Sequence, residues 1–118
     1  MSNSPTETIF EKILNKQIPC KVVYEDEHTL AFHDVNPQAP VHVLVIPKTK
    51  LVNVAEASEE DAFILGKVLL AAKKVAEITG IHKTGYRLVM NNGAGSGQTV
   101  FYLHCHVIGG RNLSWPPG

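Results

Sequence analysis

The chain has 118 residues, with 11 basic side chains against 11 acidic ones and a formal net charge of zero. That length fits one small domain, and 44% hydrophobic with 19% charged residues is ordinary globular composition, not a disordered chain. The zero balance argues against bulk electrostatic binding to nucleic acid or to an anionic membrane. No apolar run approaches the roughly 20 residues of a membrane span. The opening stretch, MSNSPTETIF, lacks the basic and apolar regions of a secretory signal. Two cysteines, Cys20 and Cys105, make no disulfide framework, so a cytoplasmic location is expected, extending to the nucleus in a eukaryotic cell.

Residues 1–7 read as a flexible polar leader and 8–118 as a single domain. From Thr8 to Lys16, the residues Ile9, Phe10, Ile13 and Leu14 fall at helical spacing, predicting a short amphipathic helix that ends before Pro19. Two β-rich runs follow, Lys21–Tyr24 and Thr29–Asp34, joined through a charged turn. Pro37 and Pro40 then interrupt regular structure. His42–Ile46 is apolar on both faces, as a central strand would be, and Pro47 stops it. Ser58 with Asp61 three residues on opens a long helix, whose stripe of Ile64, Leu65, Val68, Leu69, Ala72, Val75 and Ala76 ends at Gly80. Strands resume at Gly85–Met90 and Val100–Ile108 around a glycine-rich loop. Five strands and two helices with mostly hairpin-length connections give an α+β domain on a mainly antiparallel sheet.

The stretch Val100–Ile108 carries the chemistry. Read as a strand, it puts Tyr102, His104, His106 and Ile108 on one face, and Phe101, Leu103, Cys105 and Val107 on the other, packed under the long helix. Same-face neighbours stand roughly 6.5–7 Å apart, the scale of one phosphate group. Imidazole titrates near pH 6.5, so one ring can attack phosphorus while the other donates to a phosphate oxygen. The preceding glycine loop and Thr99 offer backbone N–H groups and a hydroxyl to anionic oxygens. Phosphate ester or phosphoramidate chemistry follows. A zinc site using His42, His104 and His106 is the rival, although Cys105 points to the opposite face and no fourth ligand is evident.

Taken together, Ile18-Pro19, Ala31-Phe32-His33-Asp34, Pro37-Gln38-Ala39-Pro40, His42 with Leu44-Val45-Ile46-Pro47-Lys48, Gly97-Gln98, His104-x-His106-Val107-Ile108-Gly109-Gly110-Arg111 and the ending Trp115-Pro116-Pro117-Gly118 resemble the histidine triad (HIT) superfamily. The branch resembled is Hint, the nucleoside phosphoramidate hydrolases. The resemblance implies that His104 is the nucleophile on the α-phosphorus, forming a covalent nucleotidyl-histidine, and that His106 binds phosphate oxygens. It places Thr99 near the leaving group, Asp34 on the ribose hydroxyls, Asn91 and Gly97 beside the phosphate, and Ile18 and Phe32 around the base. His42 is implied as a supporting histidine, and Trp115 as part of a tail reaching toward a partner's site. It further implies a homodimer whose two sheets join, acting on purine nucleoside monophosphates and their phosphoramidates, with no cofactor or metal and no nucleic-acid or membrane partner.

Two positions depart from that pattern. The first triad histidine is Tyr102, and a second histidine after Ile46-Pro47-Lys48 is replaced by Lys50. The Tyr102 phenol is expected to hydrogen-bond His42 and so hold the site without a third imidazole. The alternative is a catalytically weak nucleotide-binding or scaffolding dimer in which Tyr102 marks lost chemistry.

Overall fold

The computed structural model describes residues 7–118, so all of the leader expected over residues 1–7 except Glu7 lies outside the described residues. Thr8 and Glu11 form a reciprocal capping box, with the Glu11 amide donating to Thr8 Oγ1 at 3.3 Å and the Thr8 amide to Glu11 Oε1 at 2.8 Å. They open helix α1, Ile9–Leu14, which buries Phe10. Five strands follow: β1 (Val22–Glu25), β2 (Thr29–His33), β3 (Val41–Pro47), β4 (Tyr86–Val89) and β5 (Cys105–Gly109). They make one sheet in the order β1-β2-β3-β5-β4, antiparallel at every junction. The apolar His42–Ile46 run is indeed the middle strand.

The β1–β2 turn is organised by one carboxylate. Asp26 Oδ1 accepts the amides of His28 and Thr29, each at 2.8 Å, and the Thr29 hydroxyl at 2.9 Å, while Oδ2 accepts the Tyr24 phenol at 2.9 Å. Burial opposes ionisation, but those donors outweigh it and hold the Asp26 carboxyl down at about 2.

Helix α2 spans Ala62–Thr79 after a 3₁₀ turn at Glu59–Asp61, and Gly80 ends it with φ +83°. Ile64, Val68, Ala72, Val75 and Ala76 of the expected stripe are buried, together with Ala71. Leu69 is not: it joins Phe63, Leu70 and Ile78 on the exposed face. Against the helix lie Ala31, Val43, Val45, Leu103, Cys105 and Val107. The opposite face carries a second, smaller cluster of Leu30, Phe32, Leu44 and Ile46, covered by Phe10 and Tyr102. The sheet thus separates a helix-side core from a face that α1 only partly covers.

The last strand begins at Cys105, not at Val100. The cause lies across the sheet. The even residues of β3 turn their backbone toward β2, as the Asp34 amide to His42 carbonyl bond (2.9 Å) and the Lys48 amide to His28 carbonyl bond (2.8 Å) require. The odd residues therefore face β5, and the ladder runs out at Val45 opposite Cys105. The next rung would need an N–H from Pro47, which has none. Leu103 instead gives its amide to the Leu51 carbonyl at 2.6 Å, and Phe101, expected under the helix, is exposed. Among the described residues, no helix is long and apolar enough to cross a membrane.

Replacing the turn carboxylate is expected to be costly. Asp26→Ala strips four donors of their acceptor and should lower unfolding free energy by about 2–3 kcal/mol, read as a lower urea midpoint at unchanged slope. The ionised carboxylate stabilises fully above its ordinary range near 3.8, and this is lost as pH falls through about 2.

Candidate active site

On the α1 side of the sheet, His42 from β3 and His106 from β5 stand diagonally across the ladder, His42 opposite Ile108 and His106 opposite Leu44. Their ring nitrogens meet, His42 Nε2 to His106 Nδ1, at 2.9 Å. The Pro37–Pro40 turn folds back so that the Gln38 amide donates to His42 Nδ1 at 3.0 Å. Arg111 fixes that turn by donating to the Gln38 carbonyl at 3.2 and 3.1 Å. The turn also lies close beneath the end of β5. Gly110 has φ +92°, and a Cβ there would sit 2.9 Å from Pro40.

These contacts fix the protons. A backbone amide only donates, so His42 Nδ1 is an acceptor and its proton sits on Nε2. That proton points to His106 Nδ1, with Asp34 Oδ2 3.4 Å away as a second acceptor. His106 therefore carries its own proton on Nε2. His104 has the opposite polarity: its Nδ1 lies 2.7 Å from the Tyr102 carbonyl, which only accepts, so Nε2 keeps a free lone pair. The His104 and His106 rings are 4.9 Å apart between centroids. One is poised as a nucleophile or base and its neighbour as a hydrogen-bond donor.

Burial keeps both rings neutral. His104 is 8% exposed, and desolvation pushes its pKa down against the opposing pull of the Tyr102 carbonyl and Asp34. His106 is pushed down to about 4 by burial, then by His104 and His42, with Asp34 opposing. Both rings line a cleft of about 1000 Å³, whose polar end also holds Asp34 and His42 and whose walls include Phe10, Ile18, Phe32 and Leu44. The buried Cys105 lies on the far side of the sheet, its thiol pushed up to about 11 by desolvation.

Of the residues singled out from the sequence, Ile18, Phe32, Asp34, His42, His104 and His106 come together in this cleft. Asn91, Gly97, Thr99 and Trp115 do not line it. Thr99 is exposed, Trp115 is 80% exposed, and Gly97 (φ +102°) stands beside Asn91 in their shared loop. The Tyr102 side chain departs from expectation. With the ladder ended at Pro47, the carbonyl of Pro47 is left without a rung, and the buried phenol donates to it at 2.5 Å, not to His42. Tyr102 reaches the site through its backbone, by holding His104. Sequence reasoning missed the Gln38 amide, although its turn stood out, and missed Phe10, whose ring meets His104 edge-on at 5.0 Å. Helical spacing marked Phe10 only as core.

Asp34, His42 and His106 could also hold a cation, since one ligand atom from each lies within 4.8 Å of the others. This set differs from the His104-containing one that the sequence offered only as a rival reading. A metal held by His42 Nε2 and His106 Nδ1 would displace the proton that orients His106.

The sequence profile of the HIT domain matches residues 15–113. The chain belongs to the HIT domain family. It is 58% identical over 112 residues to an uncharacterised HIT-like protein of Synechocystis sp., spanning 95% of this chain and 97% of that protein. It is 51% identical over 120 positions to a 14 kDa zinc-binding protein of Zea mays, spanning 100% of this chain and 91% of that one. The crystal structure of a HIT family hydrolase from Legionella pneumophila is similar at a TM-score of 0.92 and 44% identity, covering 95% of this chain and 100% of the other. In this HIT domain, Tyr102 holds His104 through its backbone carbonyl and gives its phenol to Pro47.

Two expectations follow. Tyr102→Phe leaves the Pro47 carbonyl without its donor and should cost about 1–2 kcal/mol of unfolding free energy, while the His42 ring resonances stay where they are. Acid should destabilise the domain well before carboxylates protonate. Both His104 and His106 are less basic folded than unfolded, so their neutral burial stabilises fully above pH 6.5 and loses that effect as pH falls below it. At pH 5 the loss from His106 alone is about 2 kcal/mol, or several degrees of Tm. A Tm that holds or rises between pH 7.5 and 5 contradicts the neutral pair.

Proposed function

We propose that this protein is a Hint-type hydrolase that cleaves the P–N bond of purine nucleoside 5′-phosphoramidates through a covalent nucleotidyl-histidine. The observation carrying this reading is the opposed proton placement on His104 and His106 in one cleft. His104 Nε2 attacks the α-phosphorus as the P–N bond breaks, and the leaving nitrogen takes a proton from solvent water to depart as the amine. Water then adds to phosphorus and returns a proton to solvent, the P–His104 bond breaks, and the nucleoside monophosphate departs with the imidazole restored. Throughout, His106 Nε2–H donates to a non-bridging phosphate oxygen, held in that tautomer by His42. Asp34, at the cleft's polar end, accepts the vicinal ribose hydroxyls, and Ile18 and Phe32 flank the base.

The hydrolase name of the Legionella relative is consistent with this reading. Thr99, Asn91, Gly97 and Trp115 enter it as groups outside the cleft of one chain. In the proposed homodimer the two sheets join, and Trp115 on its exposed tail lies free to reach a second subunit. A cytoplasmic setting suits the two free cysteines. The competing reading, a weakly catalytic nucleotide-binding dimer, rested on the loss of an imidazole at Tyr102. It is disfavoured by the carbonyl that still fixes His104.

Turnover of a fluorogenic adenosine phosphoramidate is the test. Wild type should release the amine equally with and without chelator. His104→Ala should lose at least about a thousandfold in kcat/KM while binding adenosine monophosphate within tenfold. Retention of more than a few per cent of activity by His104→Ala rules out the nucleophile assignment. Activity abolished by chelator favours a metal at Asp34, His42 and His106. Tight monophosphate binding without any turnover favours the binding-protein reading.

A further inference from the structure

Helix α1 is six residues long, far short of the roughly 12–15 at which an isolated helix becomes even marginal in water. It nevertheless forms a wall of the cleft, and Phe10 is buried against Phe32, Tyr102 and His104, edge-on to each. Among the described residues, one side-chain hydrogen bond ties α1 to a distant part of the chain: Lys50 Nζ to Glu11 Oε1, at 3.1 Å and partly buried on both sides. The same Glu11 oxygen accepts the Thr8 amide, so the ion pair is coupled to the helix cap.

Lys50 sits in a segment that grips the nucleophile's chain as well. Three residues earlier, the Pro47 carbonyl accepts the Tyr102 phenol, and one residue later the Leu51 carbonyl accepts the Leu103 amide. Residues 47–51 therefore anchor both partners of the Phe10–His104 contact, one through backbone carbonyls and the other through the lysine. The backbone of 101–104 carries no ladder pairing of its own, which makes this anchor the reference for His104.

We propose that Lys50 is a positioning residue for His104, acting through Glu11 and α1 to hold the Phe10 ring against the imidazole. The packed ring keeps water off one side of the imidazole and stops its tilt, so that the lone pair stays aligned on phosphorus. The role in turnover rests on the hydrolase reading above, but the packing itself does not.

Four variants test it: Lys50→Met, Lys50→Arg, Glu11→Gln and the Lys50→Met/Glu11→Gln pair. Glu11→Gln keeps an oxygen for the Thr8 amide and removes the charge. In the substrate-free protein, the nuclear Overhauser contact between the Phe10 and His104 rings should weaken in Lys50→Met and Glu11→Gln and persist in Lys50→Arg. With the fluorogenic phosphoramidate, both weakened variants should lose about tenfold in kcat with KM changed less than threefold. The double variant should be no worse than either single one, and Lys50→Arg should stay within twofold of wild type. A folded Lys50→Met with an unchanged Phe10–His104 contact, or additive losses in the double variant, overturns the proposal. If wild type shows no turnover, the hydrolase reading fails instead, and the ring contact alone decides whether Lys50 positions His104.

Discussion

A peptide amide can give a hydrogen and cannot take one, and the polarity of the whole site descends from that constraint at Gln38. Its N–H forces the His42 proton outward to Nε2, which forces His106 to accept on Nδ1 and keep its own proton on the far nitrogen. Arg111 holds the same residue through its carbonyl, in the next peptide unit, so the relay begins at a fixed point. The carbonyl of Tyr102, an obligate acceptor, imposes the reverse order on His104. Two identical side chains thus acquire different chemistry from backbone groups that have only one role to play, with no change of charge required in either ring.

The sheet divides labour between its faces. On one, small and β-branched residues let the alanine-rich face of α2 approach closely, and this packing supplies most of the apolar burial. The other face is roofed by a helix too short to stand unaided, and the gap beside that roof is the cleft. A fully covered second face would be more stable and would have no room for a substrate. The uncovered area falls where His42, His104, His106 and Asp34 converge.

Much of this was legible in the residues. Continuous apolarity marked β3 as central because a strand buried on both faces has no polar side to show. The capping pairs at Thr8–Glu11 and Ser58–Asp61 and the helix stop at Gly80 are local chemistry, written within a few residues. The cleft residues Ile18, Phe32, Asp34, His42, His104 and His106 were named by motif, and the chain folding brings them together. What could not be read were effects reaching across the sequence. Alternation through Val100–Cys105 is real, but whether it becomes a strand depends on the missing N–H of Pro47, more than fifty positions away. Tyr102 was assigned a role for its phenol when its peptide carbonyl was the active part, and side-chain identity carries no signal for that. Leu69 was given to the core because a stripe drawn from spacing alone is wider than the surface a helix can bury.

The early end of the β5 ladder also sets how each imidazole is mounted. His106 belongs to a strand paired on both sides, with Leu44 across one edge and Val89 across the other. His104, two residues earlier, lies beyond the last rung. One ring is mounted on the fully laddered part of the sheet, and the other on a span held by two single hydrogen bonds, the Tyr102 phenol to the Pro47 carbonyl and the Leu103 amide to the Leu51 carbonyl. The separately anchored mount belongs to the ring with the free lone pair, and the laddered one to the ring that presents its Nε2 proton.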